Sequence, residues 1–122
     1  MTTYAVPKPS RSPKSRTPIK RVNRKRKASE FARAYGSKAR VAWVKRQPSV
    51  VSGERPCVNA HVRGGGAGRK ANACWIVPLT KQEHQNLHIV GKRFFEMWAL
   101  VDLDTAAAET ERKWQEYKGR TA

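Results

Sequence analysis

The chain has 122 residues, 39% of them hydrophobic, and a formal net charge of +17. That length holds one small domain, and no stretch approaches the roughly 20 consecutive apolar residues of a membrane span. The excess of cations points to a polyanionic partner, with nucleic acid ahead of a membrane surface.

The charge is spread over two regions of different character. Residues 1–28 contain ten Lys or Arg and no Asp or Glu. Few apolar groups there offset the entropy of ordering, so the segment is predicted to be a disordered basic arm. Residues 29–122 keep a net charge of about +7 and are predicted to form the folded domain. The start of the chain lacks the apolar stretch of a secretory signal. Cys57 and Cys74 are therefore expected as free thiols of a reducing interior.

In chain order, Ser29 is predicted to cap a short helix through Phe31, Ala32 and Tyr35, ended by Gly36. Ser37 caps a second helix carrying Val41, Trp43 and Val44, stopped at Gln47-Pro48. Ser49 to Gly53 reads as a tight knuckle, and residues 57–62 as a short strand ending at His61-Val62. Four glycines in the five positions 64–68 forbid helix or regular strand, so this is a loop whose small residues admit a close backbone approach. It lacks the Gly-Lys-Ser/Thr ending of a P-loop. Trp75-Ile76-Val77 marks a buried return strand. Thr80 with Glu83 forms a capping box for a helix bearing His84 and His88, packed through Leu87 and Ile89 and ended by Gly91. Phe94, Phe95, Trp98 and Leu100 suit a helix closing the core. Asp104 is predicted to cap a last helix from 105 to about 117, its turns marked by Ala108, Glu111, Trp114 and Lys118.

All three histidines, His61, His84 and His88, fall within residues 61–88. Imidazole is the usual general base near neutral pH and a common metal ligand. His84 and His88 lie four apart, so a helix presents both on one face, where they can grip one ion. His61 sits on a separate element that can oppose them. A zinc protease is excluded because Gln85 stands where the His-Glu-x-x-His motif needs its glutamate.

Strand, glycine loop, strand and helix with these histidines resemble the ββα-metal unit of HNH endonucleases. The likeness runs over Cys57-Val58-Asn59-Ala60-His61-Val62-Arg63, the loop at 64–68, Arg69-Lys70-Ala71-Asn72, Trp75-Ile76-Val77-Pro78-Leu79, and the helix from His84 to Gly91. It is nearest to the small phage and prophage HNH proteins with an Ala-His-Val-Arg segment before a Gly-Gly-x-Gly-x-Lys loop. Phe94-Phe95-Glu96 and Val101-Asp102-Leu103-Asp104 are similar to that group too.

The resemblance implies an α+β fold with a ββα-metal core (about 57–91, within 29–122) flanked by helices. It also implies a phosphodiester hydrolase acting on DNA in the cytoplasm of a bacterial host. His61 would be the general base, Asn72 the residue that orients it or helps hold the metal, and His84 with His88 the metal ligands. Arg63, Arg69 and Lys70 would clamp phosphates, and the products would carry a 5′-phosphate and a 3′-hydroxyl. The cofactor would be one divalent ion, Mg²⁺, Mn²⁺, Ni²⁺ or Zn²⁺. Two neutral nitrogens suit the last three better than Mg²⁺, which prefers oxygen.

Two departures from the family pattern stand out. Many relatives carry Asp or His immediately before the base as a metal ligand, and here that residue is Ala60. Relatives also often hold a structural zinc through two Cys-x-x-Cys/His pairs, whereas Ser49, Ser52, Thr80 and Glu83 occupy those positions here. Losing one ion removes the need for all four ligands at once, so no structural zinc is expected. The alternative function is a non-catalytic, basic nucleic-acid-binding protein on a degenerate HNH fold. No dimer seam is visible in the sequence.

Overall fold

The computed structural model describes residues 23–66 and 69–121. It is an α+β fold in which helices surround one two-stranded antiparallel sheet. None of its helices is long and apolar enough to cross a membrane.

Helix α1 spans Arg24–Tyr35. Its cap lies six residues before the predicted Ser29, because Asn23 accepts a hydrogen bond from the Arg26 N–H and starts the helix there. The last five residues of the predicted disordered arm, 24–28, are thus helical, while 1–22 lie outside the described residues. Lys and Arg are good helix formers, so a cationic run and a helix are compatible. Gly36, at φ +81°, ends α1 as expected.

Helix α2, Lys38–Arg46, is capped by Ser37 and buries Arg40, Trp43 and Val44. Strands β1, Val58–His61, and β2, Ile76–Leu79, pair antiparallel with Ala60 opposite Val77 and His61 opposite Ile76. A single 3-10 turn, Ala73–Trp75, leads into β2. Helix α3, Lys81–Val90, has the complete Thr80/Glu83 capping box and packs on both strands.

Helix α4 covers Lys92–Ala99, and α5 covers Leu103–Thr121. Asp102, two residues before the predicted cap, accepts hydrogen bonds from the Asp104 and Thr105 N–H groups at the start of α5. The buried stripe of α5 is Leu103, Ala107, Thr110 and Trp114. It runs one residue off the predicted Ala108 and Glu111.

All four residues of β2 are buried, and three of them divide between two apolar clusters on opposite faces. Val77 and Leu79 join Ala60, Val62, Leu87, Phe95, Leu103 and Ala107, while Ile76 joins Trp43, Val44 and Trp114. The predicted core role of α4 is met by Phe95 alone. Phe94, Trp98 and Leu100 are 66%, 69% and 91% exposed, and Ile89 of α3 is 79% exposed. An apolar period places side chains on one face without saying whether that face meets this chain or another.

The residues at 49, 52, 80 and 83 converge at the knuckle beside α3. Ser49 Oγ donates to Glu83 Oε1 at 2.5 Å and accepts from the N–H groups of Val51 and Ser52. The Thr80 N–H donates to the same carboxylate oxygen at 2.9 Å. Both Ser49 and Glu83 are buried. Burial pushes the Glu83 carboxyl up, but hydrogen bonds from Ser49, the Thr80 backbone and Ser52 outweigh it and hold the group below its ordinary 4.5. A depressed folded-state pKa adds stability that is present above the unfolded value and is lost as pH falls through the folded one. Ser49→Ala removes a donor to a buried charge and an acceptor for two N–H groups. It is expected to cost about 2–3 kcal/mol at pH 7 and to move acid unfolding to higher pH, as followed by urea and acid titrations of circular dichroism.

Candidate active site

His61 ends β1 where period-2 alternation sets Asn59 and His61 on one face and Ala60 on the other. Ala60 is fully buried in the core, so no side chain at that position reaches the His61 face. His61, His84 and His88 all line one open cleft of about 410 Å³. Helix α3 contributes His84, Leu87 and His88 to its lining, and the C-terminal end of α1 contributes Tyr35. Arg63, Arg69 and Lys70 line the same cleft, together with Tyr35, Asn59 and Lys92.

The His61 ring is fixed from outside the hairpin. Its Nε2 lies 2.7 Å from the Ala34 carbonyl oxygen, which can only accept, so Nε2 carries the proton and Nδ1 keeps the basic lone pair. The Tyr35 ring meets it edge-on, with centroids 5.1 Å apart. Burial lowers the His61 pKa below its ordinary 6.5; the Ala34 hydrogen bond works in the opposite sense, and the nearby charges of Lys70, Arg40 and Arg33 add to the lowering. The ring is therefore neutral, and able to accept a proton, at pH 7.

His84 and His88 approach each other with their Nε2 atoms 3.0 Å apart. Burial, then the neighbouring charges of His88 and His61, lower the His84 pKa and favour the neutral form that donates a lone pair. Two nitrogens at this separation match the edge of a six-coordinate donor set with bonds of about 2.1 Å. Among the described residues no group of three or more His, Cys, Asp or Glu gathers as a metal cage. The pair thus fits a divalent ion that accepts nitrogen and fills the rest of its shell with water or phosphate oxygen.

Asn72 is not brought to this cleft. It is exposed at the start of the 3-10 turn, and its Oδ1 accepts from Arg33 Nη1 at 3.2 Å. The group that holds the His61 ring is instead the Ala34 carbonyl, a main-chain oxygen with no sequence signature. Asn59 occupies the cleft face instead. Its Nδ2 donates to the Val41 carbonyl at 3.2 Å, and its buried Oδ1 has no partner among the described residues. Its place two residues before His61 in a strand was the available signal for it.

The cations of the cleft are partly engaged. Asp104 bridges Arg63 at 2.8 Å and Lys92 at 2.6 Å, and both hold its carboxyl well below the usual carboxylate range. The Arg63 guanidinium also stacks 4.1 Å from the Trp75 ring. Arg69 pairs with Glu30 of α1, and Lys70 donates to the Tyr35 hydroxyl. Exposed pairs of this kind contribute little, so an incoming phosphate can compete for the cations. Of the two thiols, Cys57 is buried and raised in pKa by that burial, and Cys74 is exposed; neither lines the cleft.

Comparison of the chain with models of known protein families, with curated proteins and with solved structures finds no match.

Proposed function

We propose that the protein is a metal-dependent endonuclease of HNH type that hydrolyses DNA phosphodiester bonds, with β1, β2 and α3 as its ββα-metal core. The observation that carries this reading is the convergence of one oriented, neutral imidazole and one imidazole pair on a single cation-lined cleft.

His61 Nδ1 takes the proton of a water aimed at the scissile phosphorus, while Nε2 stays bonded to the Ala34 carbonyl. That bond strengthens as the ring becomes charged, so the base gains its proton without turning. Arg63, Arg69 and Lys70 hold the flanking phosphates, giving affinity that falls with salt and carries no sequence information. His84 and His88 would hold the divalent ion, which would supply electrostatic stabilisation of charge on the phosphate. No structural zinc belongs to this reading, since Ser49, Thr80 and Glu83 already hydrogen-bond to one another. Ala60 and the two-nitrogen donor set favour the second reading, a nucleic-acid-binding protein without activity.

Nicking of supercoiled plasmid separates the two. The endonuclease converts it to open circles with Mg²⁺, Mn²⁺, Ni²⁺ or Zn²⁺, and a chelator stops the reaction. Because the His61 pKa lies below its ordinary 6.5, the rate falls on the acid side only below that value. Salt-sensitive binding with no nicking under any of the four ions establishes the second reading instead.

A further inference from the structure

Helix α1 opens on four successive cations, Arg24, Lys25, Arg26 and Lys27. All four are exposed, and none of them takes part in an ion pair among the described residues. Residues 1–22 contain no acid that could neutralise them. Their charge opposes the helix itself, because the positive end of its dipole disfavours cations and its first turn holds no acidic residue.

The helical repeat divides the four between two sides. At about 100° per residue, Arg26 and Lys27 lie about 40° and 60° from Glu30, and Arg33 lies about 60° from it. Arg24 and Lys25 lie about 120° and 140° away. Glu30 fixes which side meets the cleft. Its carboxylate pairs with Arg69 at 2.5 Å and with Arg33 at 3.1 Å, and Arg69 lines the cleft that holds the three histidines. Arg26, Lys27, Arg33 and Arg69 therefore make one cationic strip running from α1 into the cleft, with Glu30 as the acid within it.

We infer that this strip binds the phosphate backbone of the DNA whose scissile bond enters the cleft, which makes α1 a nucleic-acid-binding element outside the ββα core. The inference rests on the reading of the cleft as a DNA site. Two features point to a polymer of phosphates. Arg26 stands about 14 Å along the helix axis from Tyr35, which lines the cleft. That is the rise of about four stacked nucleotides, so a strand engaged in the cleft offers phosphates over the same span. A helix lying on a membrane needs a broad apolar face. The one large, exposed apolar side chain of α1 is Phe31, which stacks on Tyr35.

The two sides of the helix supply the test. Binding of the full chain to a labelled duplex of about 30 base pairs is followed by fluorescence anisotropy, with a chelator present and salt varied from about 50 to 300 mM. Arg26→Gln with Lys27→Gln is expected to weaken binding at about 0.1 M salt by at least 10-fold. It is also expected to flatten the slope of log affinity against log salt by about 1.8, the share of two phosphate contacts. Arg24→Gln with Lys25→Gln removes the same charge from the same turn and is expected to weaken binding by less than about threefold. Glutamine is a comparable helix former, so circular dichroism of both variants stays that of the wild type.

Equal losses in the two double variants overturn the inference, since the charge then acts as a diffuse attraction and not through one side of α1. So does unchanged binding by the Arg26/Lys27 variant. Binding to vesicles of anionic lipid that this variant loses, while its DNA binding persists, gives the strip to a membrane surface and overturns the inference as well. The chelator removes hydrolysis from the measurement. A protein with the expected contrast that nicks no plasmid keeps the strip and loses only the endonuclease reading.

Discussion

Replacing His61 with alanine is expected to lower the single-turnover rate of plasmid nicking by about 10²–10⁴-fold, the usual contribution of a positioned general base. Affinity for the same DNA is expected to stay within about twofold, because the ring is neutral at pH 7 and the phosphate contacts come from other residues. The loss reflects a device built from two parts of the chain. The Ala34 carbonyl, at the end of α1, fixes which nitrogen of His61 is basic, and Tyr35 limits how far the ring can turn. A gel-shift measurement beside the rate measurement distinguishes lost chemistry from lost binding. Equal nicking by wild type and variant would assign the base to another group.

Ala60→Asp is expected to destabilise the domain by about 3–5 kcal/mol at pH 7 rather than to complete a metal site. Many of the HNH enzymes that the sequence resembles carry Asp or His immediately before the base as a metal ligand, which makes the substitution look restorative. Here that position is fully buried, opposite Val77 and among Val62, Leu79 and Leu87. An aspartate there carries an unpaired charge in an apolar cluster and faces away from His61. Burial raises such a carboxyl's pKa, so the destabilisation shrinks as the solution is acidified and the group becomes neutral. Urea unfolding at pH 7 and pH 5 reads both effects. Added Mn²⁺ or Zn²⁺ that stabilised the variant more than the wild type would show the acid reaching the ion instead.

The parts of the fold that the sequence predicts are those written in local signals. Ser37 before α2, the Thr80/Glu83 box before α3 and Gly36 after α1 specify helix ends through hydrogen bonds made within a few residues. The four-residue spacing of His84 and His88 needs only a helix to put both rings on one side. What escaped depends on long-range placement. The first turn of α1 looks like a solvated cationic tail until Asn23 is recognised as its cap. The contact between Ala34 and His61 spans 27 residues and uses a main-chain oxygen.

Asn72 belongs to the site only by likeness to other proteins; in the structure it lies outside the cleft, and its Oδ1 accepts from Arg33. Ala60 illustrates the same limit. A missing ligand and a core alanine are one letter in the sequence, and only the direction of the pleat tells them apart. The apolar residues of α4 fail in a further way, because an apolar period does not say whether its face is covered within the chain, and Phe94 and Trp98 are exposed.

A double-mutant cycle between His61→Ala and His84→Ala tests most directly the proposal that one base and one ion-holding pair act together on the same phosphate. Groups that work as one unit lose most of their effect with the first removal, so the double variant should nick plasmid about as slowly as the slower single variant. Losses that multiply would place the two sites in separate events, and a His84→Ala variant as fast as the wild type would remove the pair from the reaction.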